Sequence, residues 1–306
     1  MNKCVGIIGT GWVGTSVAIS TLHSGAADEL WLHDLRGAVA EGEAMDLAHG
    51  AAFYPSCQVR VASIEEMREA QVVVVTAGRG GKPNESRLDL LRDNARVVAD
   101  IGRTLAGFAG IVVLVTNPVD VLTQVMTEAS GLPPERVLGT GTMLDTARLR
   151  QMLSQKLQLA TASIHAQVIG EHGDSEVVLW SGARVGGMPL RDWPGWSPEL
   201  EPPMARDVRR AAYEVIQRKG ATNHAIGLVT ASLLRCMLRG ERRVLTVSRM
   251  QEGALGLQGV ALSLPTVVGA QGAVQVMTPS MNDAEREGLA HSADVLRQAM
   301  ASLKSH

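Results

Sequence analysis

The sequence predicts an α/β protein in which a doubly wound parallel sheet is followed by a mixed α+β domain. In the first half, short and almost purely apolar runs such as residues 72–76 are typical of parallel strands that are covered on both faces. Helix-like segments lie between these runs and give a βαβ rhythm. Near residue 145 the pattern changes, because helices dominate and strand-like pieces become scattered. A domain boundary is therefore expected between residues 144 and 145.

Apolar periodicity and turn residues place the individual elements along the chain. The predicted strands are residues 5–8, 30–34, 72–76, 111–116, 177–180 and 243–247. The predicted helices are residues 13–24, 42–49, 93–106, 146–157, 204–218, 222–239 and 283–303. Residues 190–203 contain four prolines and two tryptophans, which predicts an irregular surface segment.

Composition argues against several classes of function. The chain has 306 residues, 45% of them hydrophobic, and its formal net charge of -2 disfavours a nucleic-acid or membrane-surface binder. Cys4, Cys57 and Cys236 form no CxxC pair and no metal-ligand cluster, which favours a reduced, cytoplasmic protein without a metal site. The start of the chain shows no signal peptide, and no uncharged apolar run reaches the roughly 20 residues needed to cross a bilayer.

A glycine-rich turn follows the first predicted strand and opens the first predicted helix. Gly9, Gly11 and Gly14 have the spacing GxGxxG. In dinucleotide-binding proteins the first glycine permits the tight turn, the second lets the backbone approach the pyrophosphate, and the third lets the helix pack closely on the strand. The flanking strand and helix make this turn a candidate cofactor loop, whereas the spacing alone would also suit an ordinary glycine turn.

Asp34 lies 20 residues after Gly14, at the end of the second predicted strand. A carboxylate at this place can accept hydrogen bonds from the ribose hydroxyls of adenosine, and it repels a 2′-phosphate, so NAD is favoured over NADP. Arg36, two residues later, keeps NADP open as the alternative. Without its context, Asp34 would be interpreted as an ordinary surface aspartate.

His172 lies in the segment Gly-Glu-His-Gly-Asp-Ser, and Asp145 and Arg148 precede it in the segment Asp-Thr-Ala-Arg. A histidine can take up a proton near neutral pH when a carboxylate stabilises its cation, and Asp145 is the candidate for that role. Arg148, about one helical turn after Asp145, can bind a substrate carboxylate through two parallel hydrogen bonds. Taken singly, the Asp145–His172 pair could be structural and Arg148 could be a surface residue.

Two further candidates complete this set. Arg87 follows a glycine-rich stretch suited to a mobile flap, whose closure would bring positive charge to a carbonyl oxygen and expel water. Asn117 ends a predicted strand where open α/β sheets bind ligands, although an Asn-Pro pair is also typical of a simple turn. Together these residues supply the groups needed to oxidise a 2-hydroxy acid.

The motifs also carry a resemblance that runs nearly end to end. They read GTGWVG, AGRGGKPNESRLDLL, VTNPVDV, GTGTMLDTARLR, GEHGDSE and KGAT. The chain resembles the lactate/malate dehydrogenase family, and more closely its lactate dehydrogenase branch. The resemblance implies an NAD-binding Rossmann domain over residues 1–144, a catalytic domain over residues 145–306, a small 2-oxo or 2-hydroxy acid as substrate, and a homodimer or homotetramer.

The resemblance assigns roles to single residues. His172 would exchange the substrate proton with Asp145 as its partner, and Arg87 would polarise the carbonyl. The implied substrate-binding residues are Arg148, Asn117, Thr222 and Gly81. Most of the implied cofactor-binding residues lie in or beside the glycine turn or at the ends of predicted strands, and Ile226 would lie against the nicotinamide ring. The full set is Gly9, Gly11, Trp12, Val13, Gly14, Asp34, Thr76, Ala77, Gly78, Asn117 and Ile226.

One position departs from the family pattern. Lactate dehydrogenases carry Gln, and malate dehydrogenases carry Arg, two residues before Pro83, where this chain has Gly81. Without that arginine a second substrate carboxylate lacks its bidentate partner, which disfavours malate unless Arg79 or Lys82 takes its place. Glycine also leaves space. Lactate, a bulkier 2-hydroxy acid and a malate-like diacid therefore all stay open.

Three further alternatives stay open at this stage. Arg150 and His165 match positions where many bacterial lactate dehydrogenases bind fructose 1,6-bisphosphate between subunits, although both also suit ordinary surface roles. A glycosidase that uses NAD transiently can share the nucleotide domain, but it would usually need a metal-ligand set, which the sequence does not suggest. A non-catalytic NAD-binding protein is disfavoured, because all four candidate catalytic and substrate-anchoring residues are present.

Overall fold

The structure of this protein is a computed structural model, and it describes residues 2–80 and 87–304. The expectations for Gly81, for Lys82 and for the Arg87 side chain lie outside the described part of the chain. The strands are β1 (Cys4–Ile8), β2 (Glu29–His33), β3 (Gln58–Val61), β4 (Val72–Val75), β5 (Ile111–Leu114), β6 (Val137–Gly139), β7 (Ile164–His165), β8 (Val168–Ile169), β9 (Val177–Val178), β10 (Arg184–Val185), β11 (Met188–Pro189), β12 (Arg243–Glu252), β13 (Gln258–Gly269) and β14 (Gly272–Val276).

The helices follow the same chain order, and short 3-10 turns connect several of the elements. The helices are α1 (Trp12–Ser24), α2 (Gly37–His49), α3 (Arg87–Thr104), α4 (Val119–Ser130), α5 (Met143–Leu157), α6 (Glu201–Lys219), α7 (His224–Arg239) and α8 (Asp283–Lys304). In the described residues, no helix is both long enough and apolar enough to cross a membrane.

The described residues form a nine-stranded central sheet with the order β14-β13-β12-β6-β5-β4-β1-β2-β3. The strands from β6 to β3 in this order are parallel, and the order reverses between β4 and β1. The predicted doubly wound parallel sheet is therefore confirmed. In such a sheet, ligands bind beyond the carboxyl ends of the strands at the point where the order reverses.

Strands from the second half of the chain extend this sheet. β12, β13 and β14 are antiparallel to one another, and β12 joins the parallel part by pairing Ser248 with Gly139 of β6. Residue 139 is glycine chiefly because of α4, since a Cβ there would lie 2.4 Å from the Thr123 hydroxyl and 2.9 Å from Val119, and it would also lie 3.1 Å from the Ser248 Cβ. One sheet thus runs across the expected boundary between residues 144 and 145, and that boundary stays a prediction.

Helices cover both faces of the sheet, as the apolar strands predicted. Alternate residues of β4 point to opposite sides: Val73 and Val75 pack with α3, α4 and α8, whereas Val72 and Val74 pack with α1 and α7. Helix α7 can lie close to α1 because residue 227 is glycine, whose Cβ would meet the Ser16 carbonyl oxygen at 2.5 Å. A third core joins α5 and α6 to the short strands β7, β8 and β10.

Several expectations about single elements were wrong. α4, β3, β6, β13 and β14 were not predicted at all, and α2 begins at Gly37, five residues before its expected start at residue 42. β3 alternates polar with apolar residues at the sheet edge, and β6 is only three residues long, so neither gives a strong apolar signal.

The segment of residues 190–203 was expected to be irregular surface, which holds only in part: residues 190–200 form turns and two short 3-10 helices, whereas residues 201–203 belong to α6. Leu190 and Trp196 are buried in the third core. Pro202 and Pro203 lie in the first turn of α6, where the fixed proline φ suits a helix and no intrahelical N–H is needed. The prolines therefore mark a helix start, and the apolar side chains between them anchor the segment.

Candidate active site

The three glycines of the turn between β1 and α1 differ in what an added Cβ atom would contact. Gly9 has φ +99°, in the left-handed region, and its Cβ would lie 2.7 Å from the Ala77 nitrogen. A Cβ at Gly14 would lie 1.9 Å from the Gly9 carbonyl oxygen, whereas one at Gly11 would meet nothing within 4 Å. The first and third glycines are thus required by the fold, and the second leaves open space in front of α1.

The space in front of α1 suits an anionic group. Gly11 is the N-cap residue of α1 and provides no side-chain hydrogen bond to the helix, and the first turn contains no acidic side chain. The N–H groups of a helix N-terminus, together with the helix dipole, favour a phosphate at such a place. Trp12 and Val13 begin this helix, and Trp12 is well exposed.

Asp34 follows β2 at the same edge of the sheet. Its Oδ2 accepts hydrogen bonds from the Thr10 N–H at 2.9 Å and from the Thr10 hydroxyl at 3.2 Å, and its Oδ1 accepts one from the Arg36 N–H at 3.0 Å. Partial burial raises the pKa of Asp34, but these hydrogen bonds outweigh it and keep the pKa below its usual value. Asp34 is therefore a fixed carboxylate, tied to the glycine turn through Thr10.

A cavity of about 820 Å³ connects these features. It is lined by residues from the ends of β1, β2 and β4, including Gly9, Gly11, Asp34, Thr76, Ala77 and Gly78. Thr76 donates its hydroxyl to the Gly9 carbonyl at 2.6 Å, which locks the turn to β4. The open position at Gly11, the uncapped helix and the fixed carboxylate fit the pyrophosphate and the adenosine ribose of a dinucleotide.

The second group of candidates meets on α5 and the loop after β8. The Asp145 Oδ2 lies 2.5 Å from the His172 Nδ1, and the Asp145 Oδ1 accepts a hydrogen bond from Arg148 at 2.6 Å. Asp145 is buried, whereas 22% of the His172 side chain remains exposed. With its Nδ1 facing Asp145, the imidazole can use Nε2 to exchange a proton with a bound molecule.

Burial and charge act in opposite directions on this pair. Burial lowers the pKa of His172 most, but the charge and the hydrogen bond of Asp145, together with the charge of Asp120, outweigh burial and raise the pKa to about 9. Burial raises the pKa of Asp145, but the charges of His172 and Arg148 outweigh it and keep the pKa below its usual value. The pair therefore favours an imidazolium next to a carboxylate at neutral pH.

Asn117 and Thr222 lie on two different connections, and Ile226 lies in a helix. Asn117 follows β5, its carbonyl accepts a hydrogen bond from Asn94 at 3.3 Å, and its Oδ1 accepts the Val119 N–H at 3.3 Å. Thr222 lies between α6 and α7, before the helix that was expected to include it. Ile226, in the first turn of α7, is half-buried against the core that α7 shares with α1.

Two buried carboxyl groups beside the catalytic pair were missed. The Asp120 Oδ2 accepts the main-chain N–H of His172 at 2.7 Å, and burial raises the pKa of Asp120 to about 6. Burial raises the pKa of Glu176 to about 8, and the charge of Asp145 adds to this rise. A charged residue inside the otherwise apolar run Val119–Val121 was the one sequence signal for Asp120.

Arg150 and His165, the candidates for a bisphosphate site, line one cavity of about 450 Å³. The Arg150 Nε donates to the Ala166 carbonyl at 2.9 Å. Arg184, which the sequence analysis did not single out, lines the same cavity. Burial lowers the pKa of Arg150, and the nearby charge of Arg243, which lies 3.9 Å from Glu241, lowers it further.

The dinucleotide-type cavity and the buried His172–Asp145 pair together point to a dinucleotide-dependent oxidoreductase. Comparisons with known proteins specify this class. Residues 3–139 match the family description "lactate/malate dehydrogenase, NAD binding domain", and residues 142–306 match "lactate/malate dehydrogenase, alpha/beta C-terminal domain". The chain belongs to the lactate/malate dehydrogenase family. The resemblance seen in the sequence is thereby confirmed, and so is the NAD-binding character of the first half.

Relatives cover nearly the whole chain. An L-lactate dehydrogenase from Synechococcus sp. is 43% identical over 301 residues, which cover 97% of this chain and 98% of that protein. An L-lactate dehydrogenase from Thermus aquaticus is 43% identical over 306 residues and covers 98% of this chain and 99% of its own length. The crystal structure of a minor L-lactate dehydrogenase from Enterococcus mundtii superposes with a TM-score of 0.96 at 37% identity, covering 100% of this chain and 99% of that one.

Proposed function

We propose that this protein is an NAD-dependent L-2-hydroxyacid dehydrogenase of the L-lactate dehydrogenase kind. The observation that carries the proposal is the buried Asp145 carboxylate, which lies between the His172 imidazole and the Arg148 guanidinium at 2.5 and 2.6 Å. Relatives named L-lactate dehydrogenase over nearly the full chain support the same reaction. The reaction interconverts a 2-oxo acid and a 2-hydroxy acid.

His172 is the proposed proton carrier. The cofactor, when bound, supplies or accepts the hydride. In reduction, the imidazolium gives its Nε2 proton to the carbonyl oxygen of the 2-oxo acid, and in oxidation the neutral imidazole takes the proton of the hydroxyl. Asp145 fixes the ring orientation and stabilises the charged form, which is why the pKa of His172 rises to about 9.

Arg148 is the proposed anchor for the substrate carboxylate. Its NH1 donates to Asp145, which fixes the planar guanidinium close to His172. Only 16% of its side chain is exposed, and a guanidinium in such a position can bind a carboxylate bidentately. The same Asp145 thereby sets the distance between the proton carrier and the carboxylate anchor. Arg87, Asn117 and Thr222 keep the roles that the resemblance implies.

The test of this function is a panel of purified-enzyme assays that follow NADH oxidation with pyruvate, oxaloacetate, 2-oxoisocaproate and phenylpyruvate. Turnover of pyruvate or of a bulkier 2-oxo acid, with NADH preferred over NADPH, is the expected result. Dominant oxaloacetate reduction would instead support the malate dehydrogenase-like alternative. Absence of turnover with all four acids would contradict the proposal.

Arg79 does not take the place of the missing specificity arginine. It forms an ion pair with Asp93, with its Nε at 3.0 Å and its NH2 at 2.6 Å from the Asp93 Oδ2. Because Arg79 is paired with Asp93, a second substrate carboxylate would lack an arginine partner, so malate-like diacids are disfavoured. We expect Gly81→Arg to raise the ratio of oxaloacetate to pyruvate kcat/KM by roughly 10–150-fold, the value of one charge-assisted bond of about 1.5–3 kcal/mol. Gly80→Arg is the matched control, and an equal rise there would refute the assignment of residue 81.

Regulation by a bisphosphate is a second proposal, supported by the shared cavity of Arg150 and His165. Two phosphate groups would neutralise the positive charge that Arg150, Arg184 and Arg243 bring to this region. Added fructose 1,6-bisphosphate should then lower the KM for the 2-oxo acid, and Arg150→Gln should abolish the effect. An unchanged KM in the wild-type enzyme would contradict regulation at this cavity.

Self-association is supported by apolar side chains beside the α1–α7 contact. Ile19 is 49% exposed and Leu228 is 65% exposed, and they flank the tight approach of Gly227 to Ser16. Covering such residues in a homodimer or homotetramer removes apolar surface from water. Sedimentation of the wild-type protein should give a dimer or a tetramer, and Leu228→Glu should shift it towards the monomer. A monomeric wild-type protein would refute this proposal.

A further inference from the structure

Three successive main-chain N–H groups fix the loop that carries His172. Their acceptors come from three elements that are far apart in the sequence, namely β13, α8 and α4. The pairs are Gly170 N–H to the Ser263 carbonyl at 2.9 Å, Glu171 N–H to the Ser292 hydroxyl at 2.7 Å, and His172 N–H to the Asp120 Oδ2 at 2.7 Å. Among these acceptors, Asp120 is the one that can carry a charge.

Asp120 is placed to do more than accept this hydrogen bond. It is buried in the first turn of α4, where the helix dipole favours a negative charge. Burial raises its pKa to about 6, and the His172 N–H, together with the nearby Ser248 hydroxyl, acts against this rise. Ser248 belongs to β12 at the point where β12 joins β6. The hydrogen bond to the His172 N–H therefore ties α4 to the loop of His172.

The charged groups that face His172 come from three sides. Asp145 and Arg148 lie on α5, Asp120 lies on α4, and Glu176 lies on the same loop as His172. Burial lowers the pKa of His172, Asp145 raises it most, Asp120 raises it further, and Arg148 lowers it. Glu171 also faces Asp120 and opposes its ionisation. The imidazole is thus flanked by two carboxylates.

We propose that Asp120 is a positioning residue for the reaction, whose carboxylate fixes the main chain of His172 and supplies a second negative charge in favour of the imidazolium. The inference rests on the proposed function, because the positioning matters for catalysis only if His172 exchanges the substrate proton.

Three variants separate the two contributions. Asp120→Asn keeps the size of the side chain and an oxygen that can accept the His172 N–H, but it removes the charge. Asp120→Ala removes both. Ser292→Ala is the matched control, because it releases the neighbouring N–H of Glu171 from the same loop without removing a charge.

The first measurement is the NMR titration of the His172 imidazole in the protein without substrate, assigned by comparison with His172→Gln. We expect the pKa of His172 to fall by about one unit in Asp120→Asn, the usual effect of losing a nearby opposite charge. Ser292→Ala should leave it at the wild-type value. An unchanged titration in Asp120→Asn, or an equal shift in Ser292→Ala, would overturn the proposal.

The second measurement is the pH dependence of kcat and KM for the 2-oxo acid that the assay panel identifies. Reduction requires the imidazolium, so its rate in Asp120→Asn should begin to fall at a pH about one unit lower than in the wild type. Asp120→Ala should lose about 10²-fold in kcat, because a misplaced proton donor is costly, while NADH affinity stays the same. A kcat within about twofold of wild type in Asp120→Ala would overturn the positioning role.

The outcomes for the function and for Asp120 stay distinguishable. If the wild-type enzyme turns over none of the 2-oxo acids, the proposed function fails, and the NMR titration still decides whether Asp120 acts on the imidazole. If Asp120→Ala does not fold, as judged by circular dichroism and NADH binding, Asp120→Asn carries the test, because both of its readouts are defined without the alanine variant.

Discussion

The cofactor cavity and the catalytic cluster are built by opposite means. Around the cofactor cavity, Gly9, Gly11 and Gly14 lie within one short turn, and their contribution is backbone shape and open space. In the catalytic cluster, Asp120, Asp145 and His172 come from separate elements and contribute charge in a buried setting. The first region can be recognised from local spacing. The second exists only after distant segments have packed together.

The difference also governs how each region responds to change. Close backbone contacts make the glycine turn sensitive to added atoms, whereas buried charges make the catalytic cluster sensitive to the loss of one partner, because an unpaired charge is left behind. Substitutions in the two regions should therefore separate cofactor binding from turnover.

The largest effect is expected at His172. His172→Ala should lower kcat by about 10²–10⁴-fold, the usual contribution of a general acid–base group, because the substrate proton loses its carrier. The NADH dissociation constant should stay close to wild type, since the glycine turn and Asp34 lie outside the change. Stopped-flow turnover and fluorescence titration of NADH measure the two quantities. A variant that retains more than about a tenth of wild-type kcat would show that another group carries the proton.

Asp34→Ala should weaken cofactor binding and leave the proton carrier His172 in place. Removal of the carboxylate eliminates the ribose acceptor and the charge that opposes a 2′-phosphate, so NADH should bind roughly 10–150-fold more weakly, from about 1.5–3 kcal/mol. The difference in affinity between NADH and NADPH should become smaller. Arg36→Ala is the control, because its side chain is 73% exposed and its Nε lies 3.7 Å from Asp34. If cofactor preference is unchanged in Asp34→Ala, the preference is set by other residues.

A pair of alanine substitutions tests the steric account of the glycine turn. Gly14→Ala places a Cβ 1.9 Å from the Gly9 carbonyl oxygen, so the free energy of unfolding should fall by about 1–3 kcal/mol, the usual cost of overpacking. Gly11→Ala meets nothing within 4 Å and should leave stability near wild type while weakening NADH binding. Urea unfolding and NADH titration distinguish them. Equal losses of stability in both variants would refute the steric account, and unchanged NADH binding in Gly11→Ala would refute the assignment of Gly11 to the cofactor.

The smallest expected effect in the catalytic cluster concerns the pH dependence of the reaction. The pKa of His172 is raised to about 9, so the imidazolium needed for reduction persists below that pH and is lost above it. The kcat/KM for 2-oxo acid reduction should therefore be flat near neutral pH and fall about tenfold per unit above roughly pH 9. Asp145→Asn should move this fall to lower pH. A fall that stays in place in that variant would separate Asp145 from the titration of His172.

Sequence patterns succeeded where the determinants are local. The GxGxxG turn and Asp34 after β2 follow from spacing within one βαβ unit, and β4 follows from a short apolar run. The candidates Asp145 and Arg148 are one helical turn apart, and the structure brings them into contact at 2.6 Å. The same local logic succeeded only in part for residues 190–203, because two of the prolines lie in the first turn of α6 and Trp196 is buried.

The fold class, the cofactor turn and the residue types of the proposed catalytic set could be predicted from the amino-acid sequence, because hydrophobic period and motif spacing act over short stretches of chain. Folding was needed to show that β12 joins β6, that Asp120 accepts the N–H of His172 across 52 residues, and that the pKa of His172 rises to about 9. These properties depend on burial and on charges from distant elements, and neither quantity is defined until the chain has folded.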